Sequence, residues 1–174
     1  MGDRLLDHET IRSALNALAV RLARRRVRAD VYVFGGAAMV LAYGVDRATR
    51  DVGAVFSPHG PVLDEARAVA EELGLPPFWL NEQAAVYLSR QRDKRAATVF
   101  DHPHLRVQAS SGEHLVAMKA LAGRQHDLED LGVLIDRLGL RSPDEVVRIV
   151  ADVFPDEPLP DRKRMLIEDL FPRS

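Results

Sequence analysis

Apolar positions recur at helical spacing over residues 8–25, where Ile11, Leu15, Leu18 and Leu22 share one face, and they predict an amphipathic first helix. A short apolar run over 30–34 then enters Gly35-Gly36 and reads as a strand. Residues 37–44 suit a short buried helix, and 51–56 a second strand. The stretch 57–61, SPHGP, reads as a turn before a helix over 62–73 that Gly74 closes. Pro76-Pro77 interrupts the chain ahead of FWLNEQAAVYL, and residues 98–100 and 105–109 read as two strands about the turn DHPH.

The later part of the chain is helical. Ser110-x-x-Glu113 predicts a capping box before a helix to about residue 122, and Ser142-Pro143-Asp144-Glu145 predicts another start with proline in its first turn. Between them, 125–138 carries Leu128, Leu131, Leu134, Ile135 and Leu138 at helical spacing, and a last helix is expected near 161–170. The predicted class is α+β. A small mixed sheet flanked by helices occupies residues 1–110, and a C-terminal helical half, 111–174, packs on that core because no linker separates the two.

Composition narrows the picture by exclusion. With 174 residues the chain is long enough for a real core, and with no cysteine it has neither disulfides nor cysteine-bound zinc. No apolar run reaches the length of a membrane span, and the start MGDRLLDHET lacks a signal peptide's basic and apolar regions, so a cytoplasmic protein with no membrane partner is expected. Net charge is −2, which gives no overall basic field for nucleic acid. Two local basic clusters, RLARRRVR at 21–28 and SRQRDKR at 89–95, still permit contacts to RNA phosphates.

Charged residues fall where apolar ones are expected. Taking Leu115 as the origin of a helical wheel, Lys119 lies about 40° away, on the apolar face. On the next helix Asp127 lands inside the leucine stripe and Asp130 at its margin, with Arg124 facing the same way if the helix reaches back that far. A charge on an apolar face must be paired or reach solvent. Two readings follow: a buried ion pair of Lys119 or Arg124 with Asp127, or a polar cleft between helices and sheet that serves a substrate. Repetition of the anomaly on successive helices favours the second.

The chemistry that suits such a layout is phosphate chemistry. A Gly-Gly turn lets backbone approach phosphates closely, and amides at a helix start form an anion site. A carboxylate on the adjacent strand, Asp51, can hold Mg²⁺ against the same phosphates, and Lys119 can neutralise charge on them. His59, His102, His104, His114 and His126 show no metal-ligand spacing.

The ordered set GGAAMVLAYG, TRDVGAVF, WLNE, HLVAMKALAGR and HDLEDL resembles the nucleotidyltransferase-fold proteins of the AbiEii and MenT toxin group, within the DNA polymerase β superfamily. The resemblance runs over about residues 31–134. It implies a nucleotide site at Gly35, Gly36, Thr49, Arg50, Lys119 and Arg124, catalytic roles for Asp51, Lys119 and Asp127, and Mg²⁺ ligands at Asp51, Asp127 and Asp130. The expected function is a cytoplasmic toxin of a bacterial type IV toxin–antitoxin or phage-defence system, which uses an NTP and Mg²⁺ to add nucleotides to RNA, tRNA 3′ ends above all. A cognate antitoxin protein is the implied partner.

One position departs from the pattern. Residue 53, acidic in that group and on the same strand face as Asp51, is glycine here. The strand LRVQAS at 105–110 supplies no acid to replace it. Either Asp127 or Asp130 completes the metal site, or the fold is catalytically degenerate and acts as a nucleotide- or protein-binding module. An aspartate restored at 53 is expected to cost the fold little. Trp79 reads as a core anchor and Asn81 as a helix N-cap before Glu82, although both match the WLN element and fit a cleft lining.

Overall fold

The computed structural model describes residues 4–173. Helix α1 (His8–Arg24) buries Ile11, Leu15, Leu18 and Leu22 as its spacing requires, and Asp7 caps it by accepting the Thr10 amide at 2.8 Å. Strand β1 (Ala29–Val33), helix α2 (Gly35–Tyr43), strand β2 (Val52–Ser57) and helix α3 (His59–Leu73) follow. Helix α2 starts at the glycines themselves, two residues ahead of the expected 37. Helix α3 starts at His59, so most of the expected turn is helical. Proline lacks an N–H, and first-turn amides have no partner inside the helix, so Pro61 is accommodated there.

Strands β3 (Leu80–Asn81), β4 (Ala97–His102) and β5 (Leu105–Ala109) complete a five-stranded mixed sheet in the order β3-β2-β1-β5-β4. The pairs β1–β2 and β4–β5 are antiparallel; β1–β5 and β2–β3 are parallel. Asp101 and His102, expected in a turn, continue β4, which leaves Pro103 and His104 to close the hairpin. Register puts Val31, Val33, Ala54, Phe56, Val107 and Ala109 on one face, and all are buried. Helices α1 and α3 pack on each other and on the sheet. Trp79 is fully buried and its Nε1 donates to the Ala66 carbonyl at 2.8 Å, the core anchor the sequence indicated. The first basic cluster is partly neutralised on the surface: Arg21 pairs with Glu65 and Glu72, and Arg25 with Asp64 and Glu65.

These elements form one compact unit, residues 1–86 and 96–110, of which 4–86 and 96–110 are described. A second unit comprises residues 87–95 and 111–174, described to 173. It holds helices α4 (Gly112–Ala122), α5 (Gln125–Leu138), α6 (Pro143–Val153) and α7 (Asp161–Glu168). Helix α4 is central and touches the other three; Leu115, Leu131, Leu134, Val146, Val150 and Ile167 are buried there. Its cap is Ser111, whose hydroxyl accepts the His114 amide, and not Ser110. Ser110 is instead held by Tyr32, with 2.8 Å between the two hydroxyl oxygens, and its amide donates to the Val33 carbonyl. The Ser142–Glu145 capping box forms as expected, with Pro143 in the first turn. Among the described residues no helix is long and apolar enough to cross a membrane.

Candidate functional site

The second face of the sheet carries the polar positions. By register Gly53 pairs with Asn81, and Tyr32 with both Val55 and Gln108, and these side chains share the face onto which Asp51 opens. Asp51 is half-buried at the entry to β2. Its Oδ2 accepts a hydrogen bond from Asn81 Nδ2 at 2.8 Å, and the same amide donates to the Phe78 carbonyl. Asn81 Oδ1 accepts the Gln83 amide, so the N-cap expected of Asn81 is a local turn, and its amide group orients Asp51. Among the described residues Oδ1 of Asp51 has no protein donor.

Thr49 links this carboxylate to the glycine turn. A two-way backbone bridge to the buried Leu6 fixes Thr49, with N–O distances of 2.7 and 2.9 Å. Its hydroxyl donates to the Asp51 carbonyl at 3.2 Å and stands 3.3 Å from where a Cβ on Gly36 would lie. Gly35 has φ of +65°, a conformation that a residue with a side chain adopts at a steric cost. Helix α2 begins there without a side-chain cap, which leaves its first amides free to meet an anion. Arg50, between Thr49 and Asp51, is exposed.

Position 53 is not simply empty. The ring of Phe34 comes within 3.1 Å of where a Cβ on residue 53 would lie, and the Phe34 amide donates to the Gly53 carbonyl at 3.0 Å. Phe34 is 3% exposed. The buried Phe34 ring therefore crowds a side chain at 53 and must give by a few tenths of an ångström to admit one, so the cost of the aspartate expected to fit there is set by how far that ring yields. Phe34 escaped sequence reasoning because its ring and Gly53 meet only through the β1–β2 pairing.

In the helical unit, Lys119, Asp127 and Asp130 come together in the interior, at 6%, 1% and 1% exposure. Lys119 Nζ lies 3.1 Å from Asp127 Oδ1 and 2.7 Å from Asp130 Oδ2. Asp127 is also the third residue of α5, and its Oδ2 accepts the Arg124 amide at 3.2 Å and the Arg124 Nε at 2.8 Å. Asp130, expected at the margin of the stripe, is as buried as Asp127. Arg124 precedes the helix and its side chain is 67% exposed, so it does not point into the interior. Burial pushes the Asp127 carboxyl up, but the Arg124 hydrogen bond and the Lys119 charge outweigh it and hold the group below its ordinary 3.8.

The donors present set what metal would fit. Asp51 offers one free carboxylate oxygen, enough for a single Mg²⁺ that takes its remaining ligands from phosphates and water. A second ion lacks a ligand at 53, and both Asp127 oxygens already face cations. Among the described residues no three His, Asp or Glu side chains gather as a metal set.

A family model described as a nucleotidyltransferase of unknown function (DUF6036) matches residues 11–153. The chain belongs to this family. The matched span includes the glycine turn, Asp51, Asn81 and the Lys119–Asp127–Asp130 cluster of this nucleotidyltransferase. No curated protein and no solved structure matches it.

Proposed function

We propose that this member of the nucleotidyltransferase family transfers a nucleotidyl group from an NTP to RNA, with the tRNA 3′ end as acceptor, and serves as the toxin of a bacterial type IV toxin–antitoxin or phage-defence system. The observation that supports the nucleotide site is the Thr49 hydroxyl, set between the uncapped glycine turn and the Asp51 strand. In this reading the first amides of α2 take phosphate oxygens, and Thr49 and Arg50 contact the nucleotide. Asp51 holds Mg²⁺, which would supply charge neutralisation on the triphosphate. The acceptor hydroxyl oxygen bonds to the α-phosphorus and releases its proton to water as the bond to the β-phosphate oxygen breaks, and pyrophosphate leaves. Asn81 keeps Asp51 oriented throughout. In the helical unit Lys119 holds Asp127 and Asp130 together, and Arg124 is the member of the cluster open to a phosphate. The toxin role, the cytoplasmic setting and the antitoxin partner rest on the sequence resemblance.

Incubating the protein with labelled NTPs, Mg²⁺ and total tRNA should label RNA, and Asp51→Asn should abolish the label. Absence of transfer with all four NTPs would sink the reading.

The Phe34–Gly53 contact favours a second reading, a nucleotide-binding module without turnover. Calorimetry would then record NTP binding that is indifferent to Mg²⁺, with no product formed.

A further inference from the structure

The segment 87–95 belongs to the helical unit and is tied to it at two points. Near its start the Ser89 hydroxyl donates to the Val153 carbonyl, at the end of α6, and accepts the Gln91 amide. Near its end the Asp93 side chain, 6% exposed, accepts the Ser111 amide at 2.8 Å and the Arg95 amide at 3.3 Å. Between and beside these anchors the basic side chains turn outward. Arg90, Arg92 and Lys94 are exposed, and among the described residues none has an ion-pair or hydrogen-bond partner. Tyr87, in a short 3₁₀ turn (Ala85–Tyr87), is 72% exposed.

The contrast with the first basic cluster is informative. There Arg21 and Arg25 face carboxylates of α3 and their charge is locally neutralised. Here the one acidic residue of the segment, Asp93, is turned inward onto backbone amides, which leaves three cations and an aromatic ring facing water. A loop held in shape by hydrogen bonds at both ends, carrying unpaired cations close in sequence to an exposed ring, matches what a single-stranded nucleic acid requires. The cations meet phosphates and the ring stacks on an unpaired base.

We infer that Tyr87, Arg90, Arg92 and Lys94 form a docking surface for single-stranded RNA. This deepens the proposed function by placing the acceptor strand on the helical unit, and it rests on RNA being the acceptor. Stacking on Tyr87 accommodates any base, so the surface selects for an unpaired strand and not for a sequence.

The test is fluorescence anisotropy of a labelled, mixed-sequence, single-stranded RNA oligonucleotide titrated with the whole chain. Replacing Arg90, Arg92 and Lys94 together by alanine should weaken binding at least about tenfold and should lower the salt slope by about 2, the share of three phosphate contacts on a single strand. Tyr87→Ala should weaken it about tenfold as well, whereas Tyr87→Phe should bind as the parent does. All four side chains are exposed, so these variants should keep the parent's melting temperature. Asp51→Asn should bind RNA unchanged. RNA binding without any NTP transfer would leave this inference standing and remove the proposed reaction. Transfer that proceeds equally in parent and variants, with equal RNA affinity, would overturn the inference alone. Binding of oligo-aspartate as tight as that of RNA, with Tyr87→Ala silent for both, would assign the surface to an acidic protein and overturn it too.

Discussion

The edge of the Phe34 ring stands 3.1 Å from where a Cβ on Gly53 would lie, so a side chain enters position 53 only as that buried ring gives way by a few tenths of an ångström.

Gly53→Asp alone should therefore destabilise the protein by about 1–3 kcal/mol, as overpacking does, and should not raise transfer. Combined with Phe34→Leu it gains room. The double variant should be more stable than the two single effects predict when summed, and a Mg²⁺-dependent gain in transfer should appear only there. Urea unfolding of the four proteins gives the coupling. A Gly53→Asp variant of parental stability would refute the contact's importance.

Lys119 Nζ lies within 3.1 Å of both buried aspartates. Lys119→Met should leave two carboxylates buried beside each other and cost about 3–5 kcal/mol of stability, seen as a lower urea midpoint. Asp130→Asn should cost less, since the Lys119–Asp127 pair survives it. If Lys119→Met unfolds at the parental midpoint while NTP affinity falls, the residue serves phosphate and not the fold.

The lowered titration of Asp127 makes stability acid-sensitive. The folded carboxyl titrates below the 3.8 of an ordinary aspartate, so its contribution is complete well above 3.8 and is lost as pH falls through the folded value. Unfolding midpoints measured from neutral pH down to about pH 3 should decline over that acid window. In Asp127→Asn the decline should be shallower, with a lower starting stability because a cap and an ion-pair partner are gone.

Asn81 acts on Asp51 through the 2.8 Å hydrogen bond. Asn81→Asp exchanges that donor for a like charge and should lower transfer further than Asn81→Ala, which should lower it about tenfold. Equal transfer rates in the parent and in both variants would mean that Asn81 does not orient Asp51.

Local patterns decided much of this protein from the sequence. Leucines at helical spacing, a capping box at Ser142 and a left-handed glycine at 74 are settled within a few residues, so α1, α5, α6 and the end of α3 were legible. So were the glycine turn, Asp51 and the anomalous burial of Lys119 and Asp127, because a charge on an apolar face is visible from period alone. Tertiary structure decided what those residues touch. The two-residue strand β3 has too few positions to show a period, yet its pairing with β2 brings Asn81 to Asp51 across 30 residues. The Phe34 ring meets Gly53 only because β1 and β2 run antiparallel, and Asp93 turns inward to the Ser111 amide, 18 residues on, while its basic neighbours turn out. Sequence period fixes which face a side chain leaves from; which group it meets there depends on strand pairing and helix packing between distant segments, which no local pattern encodes.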